Sequence, residues 1–290
     1  MCNAKHKFLA ALAAAALLAS CGSNEETTGT TPAQDLLAQA EMLVQNNPDS
    51  AMTLIDSLCR TYKSELETVR QAIELNKDAI IRQSEKGIVW ADSVIAVNEP
   101  IVNELKGKFV TLKPKDVVEP YQIYAPIAKQ ELVNITTIQP RIDQLGKPYL
   151  LDLLHGVSAK HTCLVAKCGG EEARTAEVPL DKATNYRFSD AGTPNEMITF
   201  HPENCEDFFR FVASNRDKDI KVTFAGGKAH TITLSKQNRD AIATTWIYAA
   251  ACAELRVAQG RKIYCTERAK IAQKQKAGAS TSANSDSDSD

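Results

Sequence analysis

A histidine and a cysteine lie four residues apart at His201 and Cys205, so a nucleophile and a base could meet on one helical turn. Asn204 is a helix-capping residue type, and the dipole at a helix start favours a thiolate. Glu206 and Asp207 adjoin the thiol, however, and nearby negative charge disfavours its ionisation. The sequence therefore favours a packed, inert thiol over a reactive one.

A second pair, His161 and Cys163, alternates along an apparent strand, so both side chains share one face and could begin a metal site. No second pair at zinc-finger spacing follows, and the sequence has no His-Glu-x-x-His run. Ordinary strand residues are the preferred interpretation. Neither a metal nor another cofactor is predicted.

Paired carboxylates are the groups that cleave glycosidic bonds. About a quarter of the residues are charged, so acids that could meet by coincidence are expected. His155 and Ser158 offer a base and a nucleophile without a group to orient them, and no phosphate-binding or dinucleotide glycine motif occurs. The sequence leans against an enzyme and predicts no catalytic residue. The acids considered are Asp181, Asp190, Glu196 and Glu203.

Aromatic residues recur in the middle of the chain. Exposed together, they would form a recognition platform for a glycan or a protein, although such residues more often pack in a core or across strands. Both interpretations stay open. The residues are Tyr121, Tyr124, Tyr149, Tyr186 and Phe188.

The strongest chemical signal lies at Cys21. Two lysines precede the apolar run Phe8–Ala19, which has the layout of a secretory signal and is shorter than the roughly 20 residues of a membrane span. Leu18-Ala19-Ser20-Cys21 then has the form of a bacterial lipobox. We expect residues 1–20 to be removed as a signal peptide. Acyl chains such as palmitate on Cys21 would then hold the protein in a lipid bilayer.

A spacer follows the lipidated cysteine. Residues 22–32 contain no aliphatic or aromatic side chain, so 21–32 is predicted to be a flexible tether. Glu25 and Glu26 are loosely similar to an acidic export signal. We therefore expect a lipoprotein anchored in the outer membrane, on its periplasmic or cell-surface face.

Six cysteines remain after Cys21. Cys252 and Cys265 fall on one apparent helix about 20 Å apart, beyond disulfide reach. Buried free thiols are favoured, and a long-range pair such as Cys163 with Cys205 is the alternative. The net charge of −2 with scattered cations gives no basic face, so no nucleic-acid partner is expected. The six are Cys59, Cys163, Cys168, Cys205, Cys252 and Cys265.

Residues 33–107 have a helical pattern. A turn at Asn47-Pro48 separates the two helices of a hairpin. A seven-residue spacing then predicts a coiled-coil-like helix, with a bend or turn within 76–87 and a kink at Pro100. Its predicted seam is Leu66, Val69, Ile73, Asn76, Ile80, Gln83, Gly87, Trp90, Val94, Val97, Ile101 and Glu104.

Residues 108–234 change to short β-rich runs separated by glycine turns, which predicts a central antiparallel β sandwich or barrel. One helix, Cys205–Ser214, is expected to begin at an Asn204 cap, with Asp207 completing a capping box. The predicted strands are 109–112, 117–124, 132–138, 149–154, 162–167, 176–180, 197–200, 220–224 and 230–234.

A C-terminal helix over 235–273 is expected to pack on the helical region, and 274–290 to be a disordered acidic tail. The fold class is therefore α+β. Ala51–Leu58, Lys160–Leu164 and the lipobox resemble uncharacterised lipoproteins of Bacteroides-type bacteria. That resemblance implies location and general build, and no activity.

The sequence thus predicts a membrane-anchored lipoprotein, most simply a non-enzymatic binding or envelope-assembly protein with an envelope protein or glycan as partner. The alternative is an enzyme acting on envelope or dietary glycan or peptide.

Overall fold

The computed structural model describes residues 30–113, 119–132, 134–181 and 183–285, with side chains as far as residue 278. This part of the chain is α+β, with five α-helices and two antiparallel sheets. The predicted signal peptide, Cys21 and residues 286–290 lie outside it. The helices are α1 (Pro32–Val44), α2 (Pro48–Thr61), α3 (Leu66–Leu105), α4 (Pro202–Ser214) and α5 (Lys236–Ser285).

The strands belong to one central body, which we call the β body. Its six-stranded sheet has the order β1-β2-β3-β4-β8-β7 and its four-stranded sheet the order β10-β9-β5-β6. The strands are β1 (Phe109–Leu112), β2 (Tyr121–Tyr124), β3 (Thr137–Ile142), β4 (Pro148–His155), β5 (Cys163–Cys168), β6 (Glu171–Arg174), β7 (Asn185–Asp190), β8 (Thr193–Phe200), β9 (Lys221–Ala225) and β10 (His230–Thr233).

The first two helices form a hairpin against α3. Thr31 caps α1 through a reciprocal capping box with Gln34, and Leu37 of α1 and Leu58 of α2 share a small core with α3. The Thr31 hydroxyl also donates to the Glu65 carboxylate at 2.8 Å. The described start of the chain therefore lies beside the beginning of α3.

Helices α3 and α5 form a long antiparallel pair. The Asn98 amide donates to Glu254 at 2.9 Å, and Lys262 pairs with Asp92 at 2.8 Å. Helix α3 is continuous over 40 residues, about 60 Å. The helix runs without interruption through 76–87, so the turn that was one of the two alternatives there is wrong, and Pro100 lies inside the helix without ending it. No helix among the described residues has the length and apolar character needed to cross a bilayer.

The seam between α3 and α5 consists mainly of small residues. The predicted pattern placed Trp90 and Val97 in it, and this was wrong, because they are 40% and 64% exposed. A Cβ added at Gly87 would lie 2.5 Å from the Cys265 sulfur, so the helices approach too closely for large side chains. The buried seam is Ser84, Gly87, Ala91, Asn98 and Leu105 on α3, and Ala251, Ala258, Cys265, Ala269 and Ala272 on α5.

The β body has one main core, to which both sheets, α4 and the first turns of α5 contribute. Leu150 of β4, Phe224 of β9, Phe208 of α4 and Ile242 of α5 are all completely buried there. The six-stranded sheet ends in two free edge strands, so a closed barrel is not formed. Because α5 enters this core directly, the β body is joined to one end of the helix pair.

Several predicted boundaries differ from the structure. Residues 176–180 form no strand, whereas β6 and β7 were not predicted. Helix α4 begins at Pro202 after His201, not at an Asn204 cap, since proline is well suited to the first turn. Helix α5 continues to Ser285, so the tail predicted to be disordered from residue 274 is helical that far.

Gly87 and Gly260 offer a matched test of the close seam, since both lie inside helices of the pair. Gly87→Ala should lower the free energy of unfolding by about 1–3 kcal/mol because the new methyl group meets Cys265. Gly260→Ala meets no atom within 4 Å and should raise it by about 1 kcal/mol through helix propensity. Urea denaturation measures both.

Cys265→Ala in the Gly87→Ala background should recover most of the loss, because it removes the sulfur atom that the methyl group meets. Equal stabilisation by both glycine substitutions would contradict the close seam.

Candidate functional site

Three titratable side chains converge in the β body: Asp152, His161 and Glu196. The His161 ring lies between the two carboxylates, with Nδ1 2.6 Å from Glu196 and Nε2 3.0 Å from Asp152. Asp152 comes from β4, Glu196 from the neighbouring β8, and His161 from the segment just before β5. We call these residues the buried triad.

Backbone N–H groups complete the triad. Glu196 accepts hydrogen bonds from the backbone N–H groups of Lys160 at 2.6 Å and His161 at 2.9 Å. Asp152 accepts one from Ile198 at 2.9 Å. These hydrogen bonds reduce the cost of burying the carboxylates, because they replace the hydrogen bonds to water that the oxygens lose on folding.

The pKa values follow from this geometry. Burial alone would lower the pKa of His161, but the hydrogen bonds and charges of Asp152 and Glu196 outweigh it and raise that pKa. Burial tends to raise the pKa of Glu196, yet its hydrogen bonds from His161 lower it. Burial raises the pKa of Asp152. Both ring nitrogens of His161 face acceptors, which favours the imidazolium form.

The buried triad is closed to solvent. Asp152 and His161 are fully buried and Glu196 is 1% exposed, so a substrate has no access to them. The two carboxylates lie at opposite nitrogens of the ring and cannot share one metal ion with it. The described residues contain no group of three or more His, Cys, Asp or Glu side chains arranged to hold a metal. The geometry therefore supports a structural role that links the two sheets.

Cys205 is a buried thiol. Its sulfur donates to the carbonyl oxygens of His201 at 3.3 Å and Phe200 at 3.5 Å, so it contacts the backbone of His201 and not a base. Burial raises the pKa of Cys205 to about 12. The preference for an inert thiol agrees with this environment. All six cysteines of the described part are free, and Cys163 accepts a hydrogen bond from Arg174.

The other predicted residues are scattered. Among the four acids, only Glu196 joins the triad. Asp181 accepts hydrogen bonds from backbone N–H groups of its own loop, and these hydrogen bonds lower the pKa of its carboxyl group. Asp190 and Glu203 are exposed. His155 hydrogen-bonds to Asn195 at 2.9 Å. The structure therefore does not assemble a catalytic pair from these residues.

The aromatic residues divide into two groups. Tyr121, Tyr124 and Tyr149 pack together in a small core with Ala241 of α5. Tyr186 and Phe188 stack on β7, at the edge of the six-stranded sheet, with ring centroids 5.6 Å apart. Only this second pair could act as the recognition platform that the sequence suggested.

Sequence reasoning did not identify Asp152. It is the one charged residue in the apolar run Tyr149–Leu154, and a lone carboxylate in a buried strand requires a partner. That signal could have indicated a buried ion pair. The sequence did not show that His161 and Glu196 are the partners of Asp152, because this pairing depends on how the two sheets meet.

Open grooves on the β body are lined by exposed charged residues, and one of about 570 Å³ is bordered by Arg174, Glu177, Glu203, Glu206 and Asp207. A more apolar groove lies where α4 meets α5, has a volume of about 370 Å³, and is lined by Glu203, Glu206, Trp246 and alanines of α5. Both glutamates are exposed, and Glu206 pairs with Arg210. This groove offers contact area without a buried acid or base.

The sequence matches no protein-family model and no curated protein.

The buried triad should make stability depend on pH in a defined direction. His161→Gln should lower the free energy of unfolding by about 3–5 kcal/mol near pH 6, because buried Asp152 loses its cation and Glu196 keeps only Arg187, at 3.7 Å. A raised pKa in the folded state contributes stability below the unfolded pKa of about 6.5, and that contribution is lost as the pH rises through the folded pKa. The difference between wild type and variant should therefore shrink above about pH 6.5.

Denaturation at a series of pH values measures this difference. His155→Gln is the control, because it removes a histidine of the same β body whose ring hydrogen-bonds to Asn195, and its effect should be small. A His161→Gln effect that grows from pH 6.5 upward would show that the imidazolium assignment is wrong.

Thiol accessibility tests the six free cysteines. In the native protein a maleimide should modify the half-buried Cys59, Cys168 and Cys252. Cys163, Cys205 and Cys265 are buried and should react only after denaturation. Peptide mass mapping before and after unfolding distinguishes the two sets. Rapid native labelling of Cys205 would contradict its environment.

Proposed function

We propose that this chain is a lipid-anchored, non-enzymatic binding or envelope-assembly protein of the outer membrane. In this proposal, acyl chains on Cys21 hold it at the bilayer and the helix pair is a spacer. The β body, with its two sheets forming the sandwich that the sequence predicted, is the recognition module.

The observation that carries the proposal is the position of the β body relative to the start of the chain. Thr31 contacts Glu65 at the beginning of α3, whereas β1 follows the end of α3. These points are separated by a helix of about 60 Å. A protein anchored through residue 21 by a short tether would hold its β body far from the bilayer.

A recognition surface at the edge of the six-stranded sheet fits this arrangement. The edge strand β7 has backbone groups that no neighbouring strand pairs, and Phe188 is 40% exposed beside Tyr186. An extended segment of a protein partner can add to such an edge, and a glycan can stack on the aromatic rings.

The enzyme alternative needs two titratable groups that meet in an accessible groove. Asp152, His161 and Glu196 meet, but they are enclosed. Four exposed acids line one open groove, where Glu177 pairs with Arg174 and both Glu206 and Asp207 pair with Arg210, so none of them is a buried acid or base. No specific observation favours catalysis, so we prefer the binding function.

Cys21 provides the test of the anchor. In cells that export the protein, Cys21→Ala should abolish labelling by a radioactive fatty acid and release the protein from the membrane fraction. Cys2→Ala is the matched control, since Cys2 lies in the predicted leader and its loss should leave the label unchanged.

Persistence of the label in the Cys21→Ala variant would overturn the anchor and, with it, the proposed spacer function. Mass spectrometry of the processed amino terminus gives an independent measurement of the same point.

A further inference from the structure

We propose that a small cavity between the β body and α5 binds a zwitterion of the α-amino acid class. The cavity has a volume of about 240 Å³ and lies where strands β1, β2 and β3 of the six-stranded sheet meet α5. This inference goes beyond the proposed function, because it needs neither the lipid anchor nor the β7 edge. It rests on one cation and one carboxylate that line the same cavity.

Three parts of the chain enclose the cavity. Thr111 of β1 and Gln122 of β2 border it on one side, and the turn between β3 and β4 borders it on another. Helix α5 contributes Tyr248, Cys252 and Arg256. These three residues are four positions apart, so their side chains form one row along the helix and face the same space.

Arg256 is held at the cavity by the turn between β3 and β4. Its Nη1 donates a hydrogen bond to the carbonyl oxygen of Leu145 at 3.2 Å. Gly146 allows this close contact, because its φ is +80° and an added Cβ would lie 3.3 Å from Nη2 of Arg256. No carboxylate among the described residues forms an ion pair with Arg256, so its remaining N–H groups can donate to a ligand.

Asp143 supplies the opposite charge from the same turn. Its Oδ1 accepts hydrogen bonds from the backbone N–H groups of Leu145 at 2.9 Å and Lys147 at 2.8 Å. These bonds orient the carboxylate, and Oδ2 accepts none from the described residues. Asp143 and Arg256 are the two charged residues that line the cavity in the described part of the chain, and they do not form an ion pair with each other.

The two charges select a ligand that carries both signs. A ligand with only a carboxylate would gain from Arg256 but be repelled by Asp143, and a ligand with only an ammonium group would meet the reverse. A zwitterion satisfies both groups. Because Arg256 and Asp143 are held on one turn of five residues, the matching ligand has its charges close together. An α-amino acid carries both on a single carbon atom.

The size of the cavity also limits the ligand. Pockets for drug-sized ligands have volumes of about 300–1,000 Å³, so a cavity of about 240 Å³ holds a smaller molecule. Buried Tyr121, Ile142 and Ala249 give it an apolar part, while Gln122 and Tyr248 offer hydrogen-bonding groups. The lining therefore fits an amino acid with a short side chain.

Cys252 lines the cavity as a neutral thiol. Burial raises the pKa of Cys252, although its hydrogen bond with Tyr248 and the charge of Arg256 act in the opposite direction. The thiolate is the nucleophilic form, so this environment favours reversible binding over a covalent reaction. Because Cys252 is half-buried at the cavity, its labelling also reports whether the cavity is occupied.

Isothermal titration calorimetry of residues 22–290 with each of the standard amino acids tests the proposal. At least one should bind with a Kd below about 1 mM. Two derivatives of that amino acid then separate the charges. The N-acetyl form lacks the ammonium group and the amide form lacks the carboxylate, and each should bind at least about ten-fold more weakly.

Two arginines of α5 give a matched pair of variants. Arg256→Gln should weaken binding of the amino acid by about ten-fold or more, because the partner of the carboxylate is lost. Arg261→Gln should leave the affinity within about two-fold, because Arg261 lies over the Trp90 ring and does not line the cavity. Circular dichroism checks that both variants are folded.

Asp143→Asn distinguishes binding from a structural effect on the turn. The asparagine side-chain oxygen can still accept the N–H groups of Leu145 and Lys147, but the negative charge is gone. Affinity for the amino acid should fall by about ten-fold, whereas affinity for its N-acetyl derivative should not fall. A disrupted turn would weaken both ligands equally, which would contradict the assigned contact.

A saturating amino acid should slow maleimide labelling of Cys252 and leave the rates of Cys59 and Cys168 unchanged, since neither of these lines the cavity. Failure of every amino acid to bind, equal affinity for the N-acetyl or amide derivative, or an unchanged rate at Cys252 would overturn the proposal. Fatty-acid labelling of Cys21 is a separate measurement, so the anchor and the cavity can fail independently.

Discussion

The close approach of α3 and α5 at Gly87 determines how this molecule is built. Because Gly87 meets the sulfur of Cys265, the two helix axes are near each other and the seam admits alanine, serine and cysteine. Larger apolar residues such as Trp90 and Tyr264 are then left at the sides of the pair. The close pairing of two long helices and the exposure of these large apolar side chains have one common cause, the small size of the seam residues.

The buried triad has a corresponding role inside the β body. Asp152 and Glu196 come from adjacent strands of the six-stranded sheet, while the His161 ring packs edge-on against Phe224 of the four-stranded sheet. An imidazolium between two carboxylates therefore joins the sheets by charge where the remaining core joins them by packing. All three groups are enclosed, so the triad belongs to the core of the β body and not to its surface.

The sequence was informative where residue type and local geometry agree. The predicted strand 109–112 matches β1, and the glycine turn between β9 and β10 produced the expected hairpin. The sequence predicted the wrong residues for part of the α3 seam. Hydrophobicity favours burial of Trp90 over Ser84, whereas the short distance between the two helices buries Ser84 and leaves Trp90 exposed. β7 was missed because Asn185–Asp190 is polar, and it is held by pairing with β8. The triad likewise depends in part on a long-range contact, between His161 and Glu196, which are 35 positions apart in the sequence.

The path of the chain through the helix pair has a consequence for how such proteins can vary. The chain leaves the pair at the end of α3, builds the whole β body, and returns at the start of α5. The β body is thus an insertion within one antiparallel helical hairpin. The insertion is not independent of the hairpin, because Ile242 at the start of α5 is buried in its core. Changes in the β body are therefore constrained at its junction with α5, whereas the seam at Gly87 and Cys265 lies further along the helices and makes no contact with that core.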